Sequence, residues 1–250
     1  MGNSIPYHVG PGIVIGTYSA VPYVHLQLES ARRHYPHVPI LVHDDCSSEE
    51  AALRSLCNRY GADFQSNAAA FHQRLGRYGH YGLGDLSVFL HGLVWAKEKN
   101  VDVLLKLSRR FLLLRDVSLE LQEIACNNPS PLIGAHYKDH PKTARTNCIA
   151  LNVPHWNADV ICSMEKLIRE KLQNRKQGLY VEAVLHKLAR QAADNGCAPL
   201  ALWQFALLDQ KKPQPGQFMW HEAHSVHQYA IQAKEWGLPF EAADFENMKN

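Results

Sequence analysis

Two adjacent arginines, Arg109 and Arg110, follow Ser108 inside an otherwise apolar stretch, residues 101–114. Before them, Val103, Leu104, Leu105 and Leu107 have the character of a buried strand, and residues 111–114 resume the apolar run. Guanidinium groups are costly to bury without an anionic partner. In open α/β sheets, ligands gather at the carboxyl ends of strands. Arg109 and Arg110 are therefore candidate anion binders at a strand end. The plainer alternative is a surface loop in which one arginine pairs with a nearby carboxylate such as Asp116.

Other groups could do chemistry. Asp44 and Asp45 directly follow the apolar segment 39–43. A carboxylate there can accept from a ring N–H or from sugar hydroxyls, or it can merely shape a turn. Residues 72–84 hold four glycines, two arginines, two histidines and two tyrosines, a composition that leans towards a functional loop. Residues 137–147 are basic, with Lys138, His140, Lys142 and Arg145. His221, His224 and His227 recur every three residues, which on a helix would bring neighbouring rings near one face. Zinc would need three or four such ligands with a supporting shell. The sequence His221-Glu222-Ala223-His224 is not the H-E-x-x-H of metalloproteases, and a structural role is the simplest reading of each ring.

The elements that must position these groups follow from apolar period and punctuation. Residues 12–18 read as a first strand, and Pro22 suits the first turn of a helix that runs to Tyr35. Residues 39–43 read as a second strand. Ser47 or Ser48 is the expected N-cap of a helix through Tyr60, which Gly61 ends. Residues 62–65 suit a third, short strand. Asp85 is the expected cap of a helix with Leu86, Phe89, Leu90, Leu93 and Val94 on its buried face, and Gly92 in it costs about 1 kcal/mol unless close packing needs it. Beyond residue 116 the pattern predicts helices near 117–125, 158–172 and 180–195, and strands near 131–136 and 148–153, with a charged loop at 169–177. Strands alternating with helices predict an α/β fold, a mainly parallel central sheet with helices on both faces. No repeat or linker interrupts the chain, so residues 1–250 are read as one domain.

Bulk properties narrow the function. With 250 residues, 46% apolar and 20% charged, the chain can bury a sizeable core. A net charge of +2 is too balanced for general nucleic-acid binding. No stretch is long and apolar enough to span a membrane, and the first twelve residues lack the pattern of a signal peptide. The six cysteines are scattered without a C-x-x-C pair, which favours free thiols and a cytoplasmic setting.

Taken in order, several of these residues carry a family likeness: the strand 13–18, the helix bearing Leu28-Glu29-Ser30, then Tyr35-Pro36, the strand 40–43 and Asp44-Asp45-Cys46-Ser47. With the helix 85–99 leading into D-V-L-L-K-L, they resemble a glycosyltransferase of the GT-A type, a Rossmann-like fold. The resemblance covers roughly the first 115 residues. It implies a nucleotide-sugar donor held by residues 1–115, and a glycan or other hydroxyl acceptor held by residues 116–250. It implies that Thr17 and Tyr18 lie near the nucleotide, and that Asp44 or Asp45 binds base or ribose. Arg74, Arg77, Asp85 and Ser108 complete the donor-side candidates.

The departure from the family lies at Ser108-Arg109-Arg110, where the family usually has D-x-D to ligate a divalent metal. Arginine supplies no metal ligand. Its bidentate fork can instead neutralise a leaving diphosphate, so no metal cofactor is expected. For the base that takes the acceptor proton, the resemblance implies Glu182, at the start of a helix, with Asp159 and Glu222 as rivals. Its helix position would also be favoured by the macrodipole alone. Lys142, Arg145, His221 and His224 are implied on the acceptor or phosphate side. The sequence thus points to an inverting, metal-independent glycosyltransferase. The alternatives are a sugar- or nucleotide-binding module without turnover, and a nucleotidyltransferase, which the lack of a glycine-rich phosphate loop after the first strand disfavours.

Overall fold

A computed structural model describes residues 11–71, 74–75, 78–79, 81–108, 111–135, 146, 148–173, 180–193, 197–203, 219–221 and 226–238. The first half runs β1 (Gly12–Thr17), α1 (Val21–His34), β2 (Ile40–Asp44), α2 (Glu50–Tyr60), β3 (Asp63–Ser66), the short β4 (Arg74–Leu75) and β5 (Tyr78–Gly79), α3 (Tyr81–Glu98) and β6 (Val103–Ser108). Then come β7 (Phe111–Leu113), α4 (Ser118–Asn127), β8 (Leu132–Ala135), β9 (Cys148–Asn152), α5 (Ala158–Gln173), α6 (Val181–Ala192), β10 (Leu200–Trp203), β11 (Met219–His221) and α7 (Val226–Glu235).

Seven strands form the main sheet in the order β10-β8-β9-β6-β1-β2-β3. β3, β2, β1 and β6 are parallel, and β9 alone runs against its neighbours β6 and β8. The expected α/β fold with a mainly parallel sheet is what the chain forms.

Side-chain alternation explains the continuous apolar runs. Ile13, Ile15, Val42 and Leu105 point to one face, where Val24 and Leu28 of α1 and Leu53 of α2 cover them. Val14, Leu41 and Leu104 point to the other, against Phe89 and Leu93 of α3. A strand covered on both faces has no polar alternation to show. α3 is itself sandwiched, lying on β1, β2 and β6 and covered by α5 and α6.

Close approach of α3 to the sheet sets two glycines. A Cβ on Gly16 would stand 2.7 Å from Val88 Cγ2, and one on Gly92 would stand 3.1 Å from Leu104 and Val14. Gly92 is thus the helical glycine whose cost is offset by packing.

Several boundaries differ from the sequence expectation. α2 starts at Glu50 without a side-chain cap, so neither Ser47 nor Ser48 caps it. α3 starts at Tyr81, so Asp85 lies inside the helix and does not cap it. Val94, expected on its buried face, is exposed, since it lies just past the arc that Phe89 and Leu93 turn to the sheet. The segment taken as a charged loop at 169–177 is helical through Gln173. His221 sits on β11, antiparallel to β7, and the next helix starts at Val226, so His221 and His227 do not share a helix face. All six cysteines are free thiols. Among the described residues, no helix is long and apolar enough to cross a membrane.

The face under α3 carries a titratable pair, of which His43 is buried and His91 half-buried. His43 of β2 stacks on His91 of α3, ring centroids 4.7 Å apart. Burial, helped by His91, lowers the His43 pKa from 6.5 to about 3. The folded chain keeps His43 neutral where the unfolded chain protonates it. Stability is therefore expected to fall as pH drops below about 6.5, by up to about 1.4 kcal/mol per pH unit from this ring. Urea titrations of the wild type and of His43→Gln between pH 7 and 5 check this. Equal slopes in both would remove His43 as the cause.

Candidate functional site

The carboxyl ends of β1, β2 and β6 stand side by side. Thr17 is in register with Asp44, and Gly16 with Ser108. The backbone leaving these strands is strained. Ser19, Ala20 and Cys46 all have positive φ, at 57°, 75° and 59°. Non-glycine residues rarely adopt this conformation, and where they do they cluster at ligand sites. The turn after β1 is held by the Thr17 hydroxyl, which donates to the Ser19 carbonyl at 2.6 Å. Glu49 adds to it by accepting from the Ala20 N–H at 2.7 Å. Tyr18 beside it is 40% exposed.

The two acids divide their work. Asp44 is fully buried, and its Oδ2 accepts from the Ser47 N–H at 2.7 Å. Its Oδ1 has no hydrogen-bond partner among the described residues. Burial raises its pKa, opposed by the Ser47 amide. A buried carboxylate oxygen without a donor is costly and fits a site that waits for one. Asp45 Oδ1 instead accepts from Asn67 Nδ2 at 2.7 Å and from the Phe71 N–H at 2.9 Å. Asn67 in turn accepts from the Ser87 hydroxyl of α3 at 3.0 Å. Asp45 therefore fixes the path of the chain after β3.

Arg109 and Arg110 lie outside the described residues, but the backbone on both sides of them is pinned. Gln27 of α1 is buried, and its Nε2 donates to the Ser108 carbonyl at 2.6 Å and to the Phe111 carbonyl at 2.9 Å. His221 is in register with Phe111, which brings β11 beside the chain just past the two arginines.

On the other side of β6, Lys106 is bonded to Asp85 of α3 and donates to the Thr146 carbonyl at 2.6 Å. The Thr146 hydroxyl stands 3.5 Å from Glu182 Oε1, in the first turn of α6. Burial lowers the pKa of His186, one turn on, and Glu182 opposes that shift.

The structure thus brings together Thr17, Asp44, Asp45 and Ser108, and separately Asp85 and Glu182. Arg74 lies on β4, in a hairpin with β5. Arg77, Lys142, Arg145, His224 and Glu222 fall outside the described residues. Asp159 is at the wrong pole: it follows Asn152, which pairs with Val103 at the opposite end of β6. A cavity of about 540 Å³ lined by Val103, Leu119, Cys126 and Asn152 opens at that same far pole.

The divalent metal usual in the resembling family does not fit the residues at the end of β6. Hard cations need several oxygen ligands. Here Ser108 is followed by two guanidinium groups, and the Asp85 carboxylate packed against this strand is taken by Lys106.

Sequence reasoning missed Gln27, Glu49, Asn67, Ser87, Lys106 and Thr146. Only Lys106 carried a signal, as a lone charge in an apolar strand. The others are ordinary polar residues whose partners lie far away in the chain.

No protein-family model and no curated protein matches the sequence. Solved structures do. The apo form of the glycosyltransferase GlyE of Streptococcus pneumoniae TIGR4 superposes over 96% of this chain with a TM-score of 0.56 and 11% identity. S. aureus TarS superposes over 94% with a TM-score of 0.53 and 9% identity. The chain shares its fold with these two proteins. It spans 63% of the GlyE chain and 41% of the TarS chain, and at these identities the likeness is one of fold.

Proposed function

We propose that this chain transfers a sugar from a nucleotide-sugar donor to a hydroxyl acceptor, with inversion and without a divalent metal. The observation that carries the reading is the meeting of Thr17, Asp44 and Ser108 at three neighbouring strand ends, under connections strained at Ser19, Ala20 and Cys46. In an open α/β sheet this is where a nucleotide binds. In this reading Asp44 Oδ1 accepts from the base or ribose. Arg109 and Arg110 meet the diphosphate and stabilise it as it departs. Glu182 takes the acceptor proton, and Arg74, Arg77, Lys142, Arg145, His221 and His224 line the phosphates or the acceptor.

The test is thermal shift with uridine, guanosine, thymidine and cytidine nucleotides and their common sugar conjugates. A ligand at a hundred times its dissociation constant adds about 2.7 kcal/mol. Asp44→Ala is expected to weaken the responding nucleotide by about 1–3 kcal/mol, the worth of a hydrogen bond to a charged group. Asp45→Ala should weaken it by a similar amount, because Asn67 and Phe71 lose their anchor. Failure of every nucleotide to shift the wild type, or unchanged binding in both variants, would overturn the proposal.

A further inference from the structure

Lys106 has no part in that reading, yet it is the most unusual charge in the described chain. It sits mid-strand in β6 between Leu105 and Leu107 and is fully buried. Among the described residues its ammonium meets the Asp85 carboxylate, the Thr146 carbonyl at 2.6 Å and the face of the Phe89 ring at 5.0 Å. Asp85 and Phe89 are one turn apart on α3, so one face of that helix supplies both an anion and an aromatic ring. Thr146 then leads through its hydroxyl to Glu182.

One cation thereby ties α3 and the turn before β9 to β6, and reaches the first turn of α6 through Thr146. The ion pair also has a dry end and a wet end: Lys106 is 0% exposed and Asp85 24%. Stability alone gives a weak reason for such a pair, because replacing a buried ion pair by apolar residues is often neutral or stabilising. Orientation gives a better one. A carboxylate held on one oxygen by a buried ammonium keeps its second oxygen in a fixed direction.

We propose that Lys106 is a positioning residue for sugar transfer. It fixes Asp85 as a hydrogen-bond acceptor for a hydroxyl of the donor sugar, and it holds the Thr146 turn so that Glu182 meets the acceptor hydroxyl. The inference rests on the glycosyltransferase reading, and it assigns the β6–α3 side of the cleft to the sugar instead of to the nucleotide.

The experiment compares wild type, Asp85→Asn, Lys106→Met and the double variant Lys106→Met/Asp85→Asn. It measures melting temperature, binding of the responding nucleoside diphosphate and of its sugar conjugate, and kcat and KM for transfer. Lys106→Met alone is expected to melt early, because it strands the Asp85 charge. The double variant removes both charges and is expected to melt close to wild type. It should bind the nucleoside diphosphate within about twofold of wild type, and the sugar conjugate roughly tenfold more weakly. Its kcat should fall roughly a hundredfold, the effect of a misplaced reacting group. Asp85→Asn keeps an oxygen for the ammonium, so it folds without a core change and should show the same split between nucleotide and nucleotide sugar.

A purely structural pair would leave the split absent. Wild-type kcat and KM in the double variant, or in Asp85→Asn should the double variant not fold, overturn the proposal. A wild type that binds nucleotides but transfers no sugar from any donor overturns the glycosyltransferase reading instead, and with it this role for Lys106.

Discussion

Replacing Arg109 and Arg110 together by alanine is expected to cut transfer by roughly 10²–10³-fold while the melting temperature stays near that of the wild type. The rate effect follows from where charge appears. As the glycosidic bond to the donor breaks, negative charge gathers on the leaving diphosphate, and only a fixed countercharge stabilises it at that moment. Ser108 ends β6 beside Thr17 and Asp44, and Gln27 pins the carbonyls of Ser108 and Phe111 on either side of the two arginines. Those pins use backbone atoms, so the alanine variants keep them and the fold should hold. Lysine replacements should recover part of the rate, since they keep charge but lose the planar fork. Activity should survive EDTA. Steady-state rates with and without chelator, alongside melting curves, check all of this. Full activity in a stable double alanine variant, or strict dependence on added manganese, defeats the idea.

Glu182→Gln is expected to lower kcat by about 10²–10⁴-fold with little change in KM. Glutamine preserves size and hydrogen bonding but cannot take a proton. Glu182 lies in the first turn of α6, where a carboxylate contributes about 0.3–1 kcal/mol through the helix dipole. The loss of stability should therefore be small beside the loss of rate, and that contrast separates a base from a helix-end charge. The structure has already narrowed the field: Asp159 stands at the opposite pole of the sheet. Wild-type kcat in Glu182→Gln would pass the role to another carboxylate, with Glu222 next in line.

What the sequence conveyed was mostly local. Apolar runs closed by Thr17-Tyr18, by Asp44-Asp45 and by Ser108 located the three strand ends that meet, because a buried parallel strand announces itself without help from its partners. The resemblance to GT-A glycosyltransferases supplied only the roles proposed for them. Where sequence reading failed, the cause was contact across distance or a boundary with no punctuation. Asp85 reads as a cap, yet the helix begins at Tyr81 and Asp85 faces Lys106. The histidine spacing looked helical, yet His221 pairs in a strand with Phe111, more than a hundred residues earlier. Gln27 gave no hint at all, since its meaning lies in the two carbonyls it bridges on another element.

The strand order has a consequence for how the molecule is assembled. β3, β2, β1 and β6 are neighbours in the sheet and are all made from residues 12–108. β9 lies later in the chain and pairs with β6 and β8 at once. Until it does, β6 is an open edge, and an unpaired apolar edge invites pairing with another chain. The proposed site has the same history. Its nucleotide side is complete once β6 has docked, whereas Thr146 and Glu182 arrive only with β9 and α6. On the proposed reading, a chain halted between those two events would hold a nucleotide and transfer nothing, so completing the sheet would also complete the site.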